Sequence, residues 1–173
     1  MNKIAVIYKS KHGTTKQYAE WIAKALDASL FETSSIKPAQ LADYDVIVYG
    51  GWLFGGGISG VKLVTENPCK SLVVFSVGLG DPAVTDYSEI LAKNFTPELL
   101  SRIKVFHLRG GIDYKKLGFV QKNMLTMVKK HVEKKAPDQR TSEEQAVLET
   151  YGGKFDFTDQ AAIMPIVEYV RAL

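Results

Sequence analysis

The chain has 173 residues, 46% of them hydrophobic and 24% charged, which suits one folded domain that needs no disulfide or metal staple. Its formal net charge of +3, from 22 Lys+Arg against 19 Asp+Glu, is too small to argue for nucleic acid as a partner. Cys69 is the only cysteine and no run of about 20 apolar residues occurs, which excludes a disulfide scaffold, a zinc finger and a membrane-spanning helix.

Ile4 to Tyr8 is an apolar run too short for a signal-peptide core, and it reads as the first strand. With the lone cysteine it fits a cytoplasmic protein. Thr15 to Ser29 has helical spacing, with Tyr18, Ala19, Ile22, Ala25 and Leu26 on one stripe and Lys16, Glu20 and Lys24 on another. Leu30 to Ser34 is a weak second strand, followed by a connector, Lys37 to Ala42. Asp45 to Tyr49 is the third strand and ends at Gly50-Gly51. Ser59 to Asn67 reads as a helix stopped by Pro68. Leu72 to Val77 is the fourth strand. Asp86 to Ser101 is helical and broken near Pro97, and Lys104 to Leu108 is the fifth strand. A helix is expected from about Lys115 to Lys135, then a short one capped by Ser142 with Gln145 three residues on and ended by Gly152-Gly153. The last helix is expected from near Thr158, with Pro165 forcing a kink or a late start.

Continuous apolar strands alternating with helices predict a doubly wound α/β domain with a five-stranded parallel sheet covered on both faces. Neither a repeat nor a linker divides the chain, so residues 1–173 read as a single domain. Ligands of such sheets lie beyond the carboxyl ends of the strands, so the informative residues follow each strong strand.

After the first strand comes Ser10-Lys11-His12-Gly13-Thr14-Thr15. Hydroxyls and backbone N–H groups at a helix start suit a phosphate dianion, and they equally suit simple capping of the helix. Neither the Walker spacing nor a dinucleotide fingerprint is present. The stretch Gly50 to Gly57 follows the third strand and reads as a mobile loop. Its Trp52 and Phe54 can cover a flat ring, or Trp52 can pack beneath the loop as core. The fourth strand leads into Val77-Gly78-Leu79-Gly80-Asp81-Pro82, which exposes backbone N–H groups and an acid to a ligand edge, or is a plain turn.

Together these three loops resemble the flavodoxin family, in its phosphate loop, its aromatic loop and its Gly-Asp loop. The resemblance covers roughly the first 110 residues. It implies the flavodoxin strand order 2-1-3-4-5 and FMN as cofactor. By position, Ser10, His12, Gly13, Thr14 and Thr15 would hold the phosphate. Trp52, Leu53, Phe54 and Gly55 would border the isoalloxazine, and Val77, Gly78, Gly80 and Asp81 would line its pyrimidine edge and outer face. Asp81 would then lower the flavin's potential. His12 departs from the family's hydroxyl residue. The family's tyrosine over the outer ring has no clear counterpart, Tyr87 being the candidate. No protein acid or base is assigned.

After the fifth strand Gly110 to Asp156 intervenes as a helical insertion before the final helix. Its order is similar to that of the menaquinone-dependent protoporphyrinogen oxidases, which implies oxidation of protoporphyrinogen IX at a membrane face with a quinone as acceptor. Between Lys115 and Lys135 stand seven lysines and one glutamate, a local charge of +6. Leu117, Val120, Met124, Met127, Val128 and His131 recur there at helical spacing. Such a helix fits anionic lipid at the inner face of the cytoplasmic membrane or an acidic partner, or packs on the core with a solvated lysine face. The other functional reading is a flavodoxin that only shuttles electrons between redox partner proteins. A third, NAD(P)H:quinone reduction, would need a nicotinamide pocket that no motif marks.

Overall fold

Residues 2–173 are described by the computed structural model. The five apolar runs form the central sheet: β1 (Ile4–Lys9), β2 (Ser29–Glu32), β3 (Val46–Phe54), β5 (Ser71–Gly78) and β6 (Lys104–Arg109), all parallel, in the order β2-β1-β3-β5-β6. This is the order expected for a flavodoxin. Both faces are covered, which is why the runs are continuously apolar. Val6, Val48, Val73 and Phe75 face α1 (Thr14–Leu26) and α7 (Met164–Arg171). Ala5, Ile7, Ile47, Tyr49 and Val74 pack on the opposite side against Val61, Val64 and Phe95. Odd and even residues of each strand thus feed two separate cores.

Several elements differ from their sequence reading. The third strand runs on to Phe54 and turns back as β4 (Gly57–Ile58), pairing Leu53 with Ile58 and Phe54 with Gly57. Gly55 and Gly56 have φ of 53° and 76°, the left-handed pair that a two-residue hairpin turn requires. The expected mobile loop is therefore a hairpin. Asn94 at the end of α3 (Ser88–Asn94) holds it, its Oδ1 accepting the Ile58 N–H at 2.8 Å and its Nδ2 donating to the Gly56 carbonyl at 2.8 Å. The helix read over 59–67 shrinks to α2 (Lys62–Thr65), because Gly60 at φ 73° breaks the helical path just before it. The segment read over 86–101 divides into α3 and α4 (Pro97–Leu100), as Pro97 requires.

The insertion begins and ends on one two-stranded ribbon, β7 (Gly111–Asp113) with β8 (Lys154–Asp156). The Phe157 N–H donates to the Gly110 carbonyl at 3.0 Å, so the excursion leaves and rejoins the domain at one point. Between its ends stand α5 (Phe119–Glu133) and α6 (Ser142–Thr150). The latter is capped by Thr141, not Ser142: Thr141 Oγ1 accepts the Glu144 N–H at 3.1 Å and the Glu144 carboxylate accepts the Thr141 N–H at 3.0 Å. Pro165 sits in the first turn of α7, where its missing N–H costs nothing, and the helix starts late, at Met164. Among the described residues no helix is long and apolar enough to cross a membrane, and no group of His, Cys, Asp and Glu could hold a metal ion.

Candidate functional site

Beyond the carboxyl ends of β1, β3, β5 and β6 lies a cavity of about 420 Å³. A volume of that order suits a cofactor or small ligand. Its walls come from the three loops read in the sequence: His12 and Thr14, then Trp52 to Gly56, then Val77, Gly78 and Leu79. Gly110, Gly111 and Ile112 add the start of the insertion. Leu117, Gln121, Leu125 and Val128, with Glu143, Glu144 and Val147 from α6, complete its lining. The insertion is thus a wall of the site, a role that its sequence alone did not reveal.

The phosphate end is built on the start of α1. Gly13 stands at the N-cap with φ 91°, and no side chain caps the first turn. Its N–H donates to Ser10 Oγ at 3.1 Å. The helix also carries no acid in its first turn, so its N–H groups and dipole favour an anion. Thr14 lines the cavity, whereas Thr15 is buried beneath it. His12 stands at the rim, its Nε2 3.5 Å from the Gln121 side-chain nitrogen of α5. Burial, and then the Lys11 charge, hold its pKa below the ordinary value, so it is a neutral polar group at pH 7.

Trp52 is half-buried, with its ring 5.3 Å from that of Phe54, and Lys11 Nζ lies 5.5 Å from its centroid. Leu53, Phe54 and Gly55 follow along the same wall. Opposite, the loop after β5 is braced from below. The Gly110 N–H donates to the Gly78 carbonyl at 2.7 Å, and Arg109 Nε donates to the Leu79 carbonyl at 2.9 Å. The Arg109 guanidinium itself lies 3.8 Å from the Phe157 ring centroid.

Two residues of that loop turn away from the cavity wall. Asp81 Oδ1 accepts the Ala83 N–H at 3.0 Å and its carbonyl accepts Thr85 Oγ1 at 2.6 Å, so it organises the turn. Tyr87, the candidate ring cover, stacks on His107 with centroids 3.5 Å apart and planes 2° from parallel. No sequence signal pairs those two rings. Gly80 belongs to the loop, and its N–H is engaged by a residue from the insertion: Glu143 Oε1 accepts it at 2.9 Å while Oε2 accepts the Leu79 N–H at 3.2 Å. Burial raises the Glu143 pKa, opposed by these two N–H bonds and by Arg109.

A phosphate-competent helix start, with aromatic side chains on one wall and a close-packed glycine loop on another, fits FMN in shape and in its phosphate donors. Comparison with known proteins agrees on the family. A model described as flavodoxin domain matches residues 5–140. No curated protein matches the chain. Among solved structures it is similar to a flavodoxin from the domain Archaea, at 19% identity over 62% of this chain and 85% of that one, with a TM-score of 0.43. A flavoprotein from Lactobacillus acidophilus, solved in complex with FMN, is 18% identical over 63% of this chain and 93% of its own, with a TM-score of 0.43. Oxidised flavodoxin 2 from Bacillus cereus is 23% identical over 62% and 85%, with a TM-score of 0.40. With the family match extending over most of its length, from β1 into the insertion, this chain belongs to the flavodoxin domain family.

Proposed function

We propose that this protein is an FMN-dependent oxidoreductase that dehydrogenates a large, flat, apolar substrate of the protoporphyrinogen IX kind and passes the electrons to a quinone. The observation that carries this reading is the wall that the insertion adds to the cavity. A protein that only shuttles electrons needs an accessible flavin edge at which a partner docks. Here the insertion sets Leu117, Leu125, Val128 and Val147 along the same space, an apolar wall beside the ring site where a shuttle would leave the flavin edge bare. When bound, FMN would supply the two-electron chemistry. The first turn of α1, with Thr14, would hold its phosphate, the hairpin of β3 and β4 would border its ring, and the insertion would exclude water and orient the substrate.

The direct test is anaerobic porphyrin fluorescence from protoporphyrinogen IX with FMN-loaded protein and a menaquinone analogue. An enzyme-dependent rise is expected. With FMN bound and no rise, the electron-shuttle reading takes its place. Failure of the protein to bind FMN at micromolar concentration removes both.

The outer face of α5 supports a membrane-surface reading. The apolar stripe read in the sequence divides: Leu117 is buried and Val128 lines the cavity, whereas Val120 and Met127, with Phe119 beside them, are 68%, 70% and 80% exposed, and Met124 is exposed as well. Lys115, Lys116 and Lys130 are exposed on the same segment, while Lys122 and Lys129 lie over the Tyr114 and Tyr151 rings. Apolar side chains on a basic helix suit insertion among anionic lipids, where a lipid-soluble quinone would also be found. The protein is expected to co-sediment with vesicles containing phosphatidylglycerol at low salt. Phe119→Glu with Met127→Glu is expected to lower that partitioning about tenfold, with α5 still folded. Absence of partitioning by the parent protein would remove the membrane reading.

A further inference from the structure

In the sequence reading, the backbone N–H groups after β5 belong to the flavin's pyrimidine edge. In the fold they are already taken. Both Glu143 oxygens sit on them, one on Leu79 and one on Gly80. The fit is close: a Cβ added at Gly78 would lie 2.4 Å from Glu143 Oε1, and one added at Gly80 would lie 2.9 Å from it. The two glycines therefore make room for this carboxylate, which comes from α6, more than sixty residues away along the chain. Glu143 also lines the cavity. At this edge the chamber presents an acceptor and a negative charge in place of free N–H donors.

An acceptor selects a donor. An oxidised isoalloxazine carries one N–H, on the imide nitrogen between its two ring carbonyls. We propose that Glu143 is the specificity-determining residue for the flavin ring: its carboxylate, fixed by the Leu79 and Gly80 amides, accepts the imide N–H and sets a negative charge against the pyrimidine ring. This rests on the FMN reading above and adds the residue that recognises the ring. A carboxylate already holding one N–H on each oxygen keeps lone pairs for a further donor, and Arg109, which also bonds the Leu79 carbonyl, limits the cost of its charge. The same charge disfavours added electrons on the ring, so it favours oxidised over reduced FMN.

The experiment compares FMN with N3-methyl FMN, which lacks that N–H, by flavin fluorescence quenching. The parent protein is expected to prefer FMN by about tenfold, the size of one charge-assisted hydrogen bond. Glu143→Ala is expected to abolish that preference. Glu143→Gln, which keeps shape and an acceptor but loses the charge, is expected to weaken oxidised FMN about fivefold and shift the oxidised-to-reduced preference by about tenfold toward reduced, about 30 mV for a two-electron couple. The isosteric variant serves if the alanine variant fails to fold. Equal binding of the two flavins by the parent protein overturns the proposal. So does tighter FMN binding by either variant, which would make Glu143 a plug that the flavin must displace. If the parent protein binds neither flavin, the cofactor reading falls with it.

Discussion

Replacing Gly50 by alanine is expected to cost about 3 kcal/mol of stability or more. Gly50 lies in β3 opposite Phe75 in β5. A Cβ at Gly50 would fall 2.1 Å from Phe75 Cζ and 2.6 Å from both Cε atoms. Neither residue can yield, since Phe75 is fully buried in the core shared with α1 and α7. Either the ring leaves its rotamer or β3 separates from β5. Both routes disturb Trp52 to Phe54, which continue the same strand into the cavity wall. Urea unfolding of the variant measures the effect, and flavin affinity is expected to fall with it. Phe75→Leu should relieve part of the clash, so the double variant is expected to be about 1 kcal/mol or more less destabilised than the two single changes combined. A single variant within 1 kcal/mol of the parent would show that the ring does not rest on the glycine.

The second large effect is acid destabilisation through His107. Burial pushes its pKa down to about 4 from an ordinary value of 6.5. Its Nδ1 lies 2.6 Å from Ser76 Oγ at a fully buried position, and Tyr87 covers its ring. The folded state therefore resists the proton that the unfolded chain accepts. Stability from this group is complete above pH 6.5 and is lost as pH falls to about 4. The loss amounts to about 2 kcal/mol once partial solvent screening is allowed for. Comparing the parent protein with His107→Asn by urea unfolding across that range isolates this contribution. The variant is expected to be less stable at pH 7 and to lack this part of the pH slope. The stack positions Tyr87, at the far end of the loop that begins at Gly78, so FMN affinity is expected to weaken with the same pH profile. Parallel slopes for the two proteins would sink the assignment.

Much of the fold and one side of the site were legible in the chain. The five strands are continuously apolar because both sheet faces are buried, and that pattern needs no tertiary information. Gly13 before Thr14, and the glycines after the fourth strong strand, mark backbone exposed at strand ends. Gly55-Gly56 between Leu53-Phe54 and Gly57-Ile58 carried a hairpin signal as well, but the abundance of glycine there reads as mobility when no partner for the loop is known. Asn94, which pins that hairpin, acts across 36 residues. The apolar stripe of α5 was visible as periodicity. Whether it met the core or water was not, because periodicity identifies a face and not its neighbour.

Taken alone, the sequence determined the fold class, the strand order through a family resemblance, and the three loops around a flavin-sized site. These depend on local pattern: burial on two faces, a helix start rich in hydroxyls, glycine where backbone must be exposed. Only the tertiary structure decided what completes the cavity wall and what engages the amides after β5. The insertion returns through the ribbon of β7 and β8 to fold α5 and α6 along the cavity. It brings Glu143 onto the amides of Leu79 and Gly80, while Tyr87 settles on His107 instead of the ring site. Those pairings join residues far apart in the chain. They rest on unpaired backbone donors and uncovered rings finding partners in space, which no local pattern specifies.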